Sequence, residues 1–107
     1  MNESEIQEVI GQYTKHGWSP RRLLSVKPAK SLLASMPPDV KEVRSEIDAI
    51  WFSRRSRPDA EAWELRRLTD SPYSLVAVLD DGMDDDEMES ILDDVESRMT
   101  KTTLGAD

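Results

Sequence analysis

The chain has 107 residues, with no cysteine, one histidine and 22 acidic against 14 basic residues, and its formal net charge at neutral pH is −8. Because cysteine is absent, disulfides, zinc–thiolate sites, iron–sulfur clusters and cysteine nucleophiles are excluded. With 37% hydrophobic residues there is enough apolar material for a core, so the composition predicts a folded chain rather than a disordered one. The length predicts a single domain over residues 1–107, ordered over about 4–99 and frayed over 100–107.

The sequence pattern predicts neither a targeting segment nor a membrane segment. The first five residues are acidic and lack the basic and apolar regions of a signal peptide. The longest apolar run, 75–79, has the length of a strand rather than of a bilayer span. We therefore expect a soluble cytoplasmic protein with no membrane partner.

The first amphipathic pattern predicts a helix over residues 4–16. Its apolar residues recur at i, i+3, i+4 and i+7, which places them on one helix face: Ile6, Val9, Ile10 and Tyr13. Ser4 and Gln7 have capping-box spacing at the start, and Gly17 can take the left-handed conformation that ends a helix.

The next two segments are short. Residues 20–26 are interpreted as a strand, although Ser19-Pro20 would also suit the start of a helix, and that alternative stays open. Apolar residues over 29–36 return to helical spacing, and Pro37-Pro38 then removes two backbone donors. This pattern predicts a short second helix.

Three runs rich in aromatic and β-branched residues follow, over 47–56, 60–69 and 73–79. Only short turn-like segments separate them, and turns of that length join antiparallel neighbours. The runs therefore predict a three-stranded meander. Because Leu75 to Leu79 are apolar on both faces, we expect the third strand to be interior, or to be covered on both sides.

A second long amphipathic helix closes the chain. Five apolar residues form one stripe, with acids on the other face: Met88, Ile91, Leu92, Val95 and Met99. Asp84 has cap-like spacing to Glu87. The predicted order is α-β-α-β-β-β-α, an α+β domain with a small antiparallel sheet, the meander plus a fourth strand, packed with two longer helices and one short helix.

Charge is distributed unevenly along the chain. Eleven of the 22 acids lie in residues 80–107 beside only two bases, whereas residues 1–79 are nearly neutral. Arginines and aromatics concentrate on the first hairpin of the meander, and the candidate interaction surface consists of Trp51, Arg54, Arg55, Trp63, Arg66 and Arg67. The main alternative is that these arginines keep the sheet edges soluble and pair with hairpin acids such as Asp59, Glu61 and Glu64.

The aromatic residues of the hairpin leave two arrangements open. Trp51 and Phe52 are adjacent in a strand, so their side chains point to opposite faces of the sheet. Either helices cover both faces, or one face carries an exposed aromatic patch used for self-association or for a partner protein. For each aromatic taken alone the core interpretation is preferred, since aromatics dominate burial in small cores.

No catalytic, cofactor-binding or metal-binding residue is predicted. His16 suits a surface position at a helix end, and the four glycines are too scattered for a phosphate loop. The acidic run over 80–87 fails the calcium-loop pattern, because apolar residues fall where oxygen ligands are needed.

The hypothesis is therefore a non-enzymatic protein-interaction or structural module that binds an unknown protein or a second copy of itself. The alternative is a binder of an anionic ligand, or a small enzyme, that uses the arginine-rich hairpin. Nucleic acid is disfavoured because the acidic helix would repel phosphates.

Overall fold

The computed structural model describes residues 3–27, 33–34, 36–69 and 71–105. Over these residues the elements are α1 (Glu3–Lys15), β1 (Ser19–Ser25), β2 (Lys41–Arg44), β3 (Ala49–Arg57), β4 (Ala60–Arg67), β5 (Ser74–Asp80) and α2 (Asp85–Leu104). The α+β class is confirmed. Most of the short helix predicted over 29–36 lies outside the described residues. Neither α1 nor α2 is long and apolar enough to cross a membrane.

The sheet has five strands in the order β2-β1-β3-β4-β5. The predicted antiparallel meander of β3, β4 and β5 is confirmed, and β1 pairs antiparallel with β3. Of the predicted segment 20–26, residues 20–25 therefore belong to a strand rather than a helix. The predicted strand count was wrong, because β2 pairs parallel with β1 and makes the sheet mixed. Hydrophobic patterning gave no sign of β2, whose four residues include one apolar side chain, Val43.

The two helices cover opposite faces of the sheet. Adjacent residues Trp51 and Phe52 of β3 point to opposite faces and belong to different hydrophobic clusters. The cluster beneath α2, on what we call the α2-side face, comprises Leu24, Ile47, Ala49, Trp51, Trp63, Leu65, Leu79, Leu92, Val95 and Met99. The cluster on the α1-side face comprises Ile6, Leu23, Met36, Val40, Ile50 and Phe52. Both aromatics of β3 are therefore core side chains.

The second helix extends beyond its predicted end. Fraying was expected from residue 100, yet α2 continues to Leu104. Gly105 then adopts a left-handed conformation, with φ of 70°, and its N–H bonds to the carbonyls of Lys101 and Thr102. At the other end Asp84 caps the helix as predicted, since its Oδ1 accepts a 2.8 Å hydrogen bond from the N–H of Glu87.

Candidate functional site

The two tryptophans of the predicted interaction surface lie in the core. Trp51 is 0% and Trp63 is 5% exposed, because strand alternation directs both side chains beneath α2. Their rings meet edge to face with centroids 5.9 Å apart. The Trp51 indole Nε1–H donates a 2.7 Å hydrogen bond to Glu96 on α2. Neither ring is available as an exposed anchor for a partner.

Arg55 and Arg57, two exposed arginines of the hairpin, are paired with acids of the β3–β4 turn and of the end of β5. Arg55 Nη1 donates to both carboxylate oxygens of Asp81, at 2.8 and 3.0 Å. Arg57 reaches Asp59 and Asp80, each at 3.2 Å. The meander therefore brings the basic hairpin against the start of the acidic segment, and the charges compensate each other.

Arg54, the remaining exposed arginine of the predicted interaction surface, lies against the end of α1. Its guanidinium lies 4.8 Å from the ring centroid of Trp18, and its Nη1 donates to the carbonyl of His16 at 3.0 Å. His16 offers its backbone here, and with Trp18 and Arg54 it lines an open pocket of about 370 Å³. The contact fastens the α1–β1 connection to β3.

The last two predicted residues are buried or half-buried. Arg67 is 7% exposed, and its Nη2 donates to the carbonyl of Ser71 at 2.8 Å while its Nη1 donates to Thr103 at 3.2 Å. Arg66 is half-buried and donates to the carbonyl of Arg67. The six predicted residues therefore do not form one surface: Trp51, Trp63 and Arg67 are buried, Arg66 is half-buried, and Arg54 and Arg55 are exposed.

A half-buried carboxylate on α2 is the main titratable feature of the α2-side face. Burial raises the pKa of Glu96, and the nearby charges of Asp93 and Glu89 act in the same direction, whereas the Trp51 hydrogen bond and Arg22 oppose it. Glu89 behaves in the opposite way, because its ion pair with Arg22, with Nη1 and Oε1 3.0 Å apart, lowers the pKa of Glu89.

These opposite shifts predict opposite effects of the same substitution. A carboxyl whose pKa is raised by folding binds its proton more tightly in the folded state. The ionisation of Glu96 therefore lowers the free energy of unfolding as the pH rises from about 4. Glu96→Gln should therefore raise the free energy of unfolding at pH 7, with a smaller gain at pH 4. Glu89→Gln should lower it at pH 7, since the stability of a salt-bridged acid is present above its unfolded pKa. Urea unfolding at the two pH values tests both, and a destabilised Glu96→Gln protein at pH 7 would contradict the assignment.

The free edge of β5 was not anticipated from the sequence. An interior strand, or one covered on both sides, was expected at 75–79, but β5 is the outermost of the described strands and one of its faces is open. Val76 and Val78 point to the α1-side face and are 55% and 47% exposed. The reason is the position of α1, whose Tyr13 stacks on Phe52 of β3 with ring centroids 4.1 Å apart. The helix therefore covers the middle of the sheet and leaves β5 open.

Backbone geometry shows which residues of β5 offer hydrogen-bonding groups to a partner. The N–H of Arg67 donates to the carbonyl of Tyr73 and the N–H of Asp81 donates to that of Asp59, both at 2.9 Å. In an antiparallel ladder the groups alternate, so odd-numbered residues of β5 face β4. The N–H and C=O groups that point away from the sheet therefore belong to Ser74, Val76, Val78 and Asp80.

Proline sets one limit of this edge. Pro72 has the same parity as the outward-facing residues, but it has no N–H to offer a neighbouring strand. The open edge therefore begins at Ser74 and runs to Asp80. The sequence pattern does not distinguish this edge strand from an interior one, because residues 75–79 are apolar on both faces, as an interior strand would be.

Comparison with protein-family models, with curated proteins and with solved structures gives no match for this chain. Within the described residues, no three His, Asp or Glu side chains are grouped so that they could hold a metal ion. Arguments about function therefore rest on the chain's own geometry. The exposed edge and open face of β5, residues 74–80, form the candidate functional site.

Proposed function

We propose that this chain is a protein-interaction module that binds an extended segment along the free edge of β5. The observation that carries the proposal is the open edge itself, with four residues directing backbone groups outward and two exposed valines beside them. In strand addition, such backbone groups supply affinity, while alternate side chains supply specificity. The exposed valines would contact every second side chain of the bound segment.

The two edges of the sheet differ in a way that favours β5 as the binding edge. Soluble proteins protect sheet edges by shortening them or by adding charged residues. At the other edge, β2 has only four residues, and three of them are charged: Lys41, Glu42 and Arg44. β5 has seven residues and none between Ser74 and Leu79 is charged. The edge of β2 is protected by its composition, and that of β5 is not.

The alternative, an anionic ligand held by the arginine-rich hairpin, has weaker support. Arg55 and Arg57 contact carboxylates of Asp81, Asp59 and Asp80, so an incoming phosphate would have to displace them. Arg67 is buried against α2 and offers nothing to a ligand at the surface. The contacts of the hairpin thus favour its role in keeping the sheet soluble.

A matched pair of substitutions tests the proposed function. Val78→Lys places a charge on the open face of β5, and Val43→Lys places the same charge on β2, where Val43 is 39% exposed. A protein captured from cell extract by the wild type and by Val43→Lys should be lost with Val78→Lys. The captured protein should also protect the outward-facing amides of Val76 and Val78 from hydrogen exchange. Equal retention by Val78→Lys, with these amides unprotected, would overturn the proposal.

A further inference from the structure

We propose that the segment bound by β5 is β5 of a second copy of this chain, paired antiparallel about a two-fold axis through Ala77. This inference rests on the proposed function and names its partner. The two five-stranded sheets would then join into one continuous sheet of ten strands. Such an interface is isologous, since each copy contributes the same surface.

The sequence of β5 is self-complementary in the sense that this symmetry requires. The residues from 75 to 79 read Leu-Val-Ala-Val-Leu, which is the same in both directions. Antiparallel pairing about Ala77 places Leu75 opposite Leu79 of the second copy, and Val76 opposite Val78. Side chains of equal or similar size therefore meet on both faces of the joined sheet.

The direction of the backbone groups selects this register. All four outward-facing residues find outward-facing partners when Ala77 lies on the axis, because Val76 pairs with Val78 and Ser74 pairs with Asp80. Each of these pairs occurs twice because of the two-fold axis, so four pairs with two hydrogen bonds each give about eight hydrogen bonds across the interface. If the two strands slid by one residue relative to each other, outward-facing groups of one strand would lie opposite inward-facing groups of the other. A shift of the axis to Val76 would place Asp80 opposite Pro72, which has no N–H.

Side-chain chemistry at the interface also favours a second copy. The exposed valines of the two strands would cover each other on the α1-side face, which removes the main apolar exposure of β5. No charged residue lies between Ser74 and Leu79 to oppose the pairing of the two strands.

The size of this contact sets the expected affinity. Two paired strands of seven residues bury less than the roughly 800 Å² per partner of a standard interface. We therefore expect a reversible dimer that dissociates on dilution, rather than a permanent one. Sedimentation velocity over a dilution series should show dimer giving way to monomer.

A cysteine placed on the axis gives a sharp test, because the chain contains none of its own. Ala77 faces β4, so Ala77 and its counterpart would form a non-hydrogen-bonded pair with Cα atoms about 4.5 Å apart, which is within disulfide range. Ala77→Cys should therefore cross-link into a dimer under mild oxidation. Val43→Cys, on the edge strand β2, is the matched control and should cross-link far more slowly.

The same lysine substitutions complete the test by sedimentation. Val78→Lys brings two like charges to one face beside the axis and should give monomer at concentrations where Val43→Lys remains dimeric. Monomeric wild type at high concentration, together with equally slow cross-linking of both cysteine variants, would overturn the dimer. In that event the proposed function still stands if Val78→Lys loses a different captured protein. If the wild type is a dimer and Val78→Lys does not weaken it, the dimer does not form through this edge. If Val78→Lys also captures the same proteins as the wild type, the proposed function is overturned as well.

Discussion

Trp51→Ala is expected to lower the free energy of unfolding by about 3–5 kcal/mol, the range for removing a large buried aromatic side chain. Trp51 is 0% exposed, lies edge to face against Trp63 and packs in the same cluster as Leu92 and Met99 of α2. Truncation opens a cavity between sheet and helix and also removes the hydrogen bond to Glu96. Urea unfolding followed by circular dichroism measures the change.

A second tryptophan provides the control. Trp18 is half-buried at the end of the α1–β1 connection, where its ring is in contact with Arg54 and Tyr13. Because Trp18 packs only at the margin of the α1-side cluster and stays partly exposed, Trp18→Ala should lower the free energy of unfolding clearly less than Trp51→Ala does. If Trp51→Ala retained wild-type stability but altered the size of the particle in solution, Trp51 would belong to an interface instead of the core.

Proline substitutions at two successive residues of β5 should differ sharply. Ala77 directs its N–H towards β4, so Ala77→Pro removes a ladder hydrogen bond and leaves a carbonyl on β4 without its donor. We expect a loss of at least about 2 kcal/mol in the free energy of unfolding. Val76 directs its N–H away from the sheet, and proline is tolerated on an edge strand at such positions. Val76→Pro should therefore cost clearly less.

Thermal and urea unfolding of the two proline variants tests the backbone assignment independently of any partner. Equal losses would mean that the outward and inward positions of β5 are not as assigned. Val76→Pro also removes an outward donor from the proposed dimer, so it should weaken self-association although the fold persists. Sedimentation of the folded variant measures that effect.

The predicted elements that agree with the structure are those with strong periodicity. The stripe from Ile6 to Tyr13 and the stripe from Met88 to Met99 each pack one helix face against the sheet. Helix α1 lies where the spacing predicted it, and α2 covers its predicted stripe and continues beyond it. The short turns likewise allowed the meander to be predicted, because strands joined by such turns can pair only in the antiparallel direction. Strand β2 was missed because pairing by backbone atoms needs no apolar pattern, and Val43 is its single apolar residue.

The site could not be predicted because it depends on the order of strands. The apolar pattern from Leu75 to Leu79 suits a strand in the middle of a sheet as well as one at its edge. The position of α1 over β3 is set by tertiary packing, which the sequence pattern does not show. The burial of the two predicted tryptophans could not be recognised from the sequence for a related reason. Residue types typical of interfaces are also typical of cores and of charge pairs, and α2 buries both tryptophans.

The arrangement of strands also implies an order of folding. β3, β4, β5 and α2 contact their neighbours in the chain, so they can assemble with little loss of loop entropy. β1 pairs with β3 and with β2, and its Arg22 reaches Glu89, 67 residues away. The N-terminal part should therefore dock late onto a preformed C-terminal half. During synthesis α1 and β1 emerge before the strand that completes their core exists.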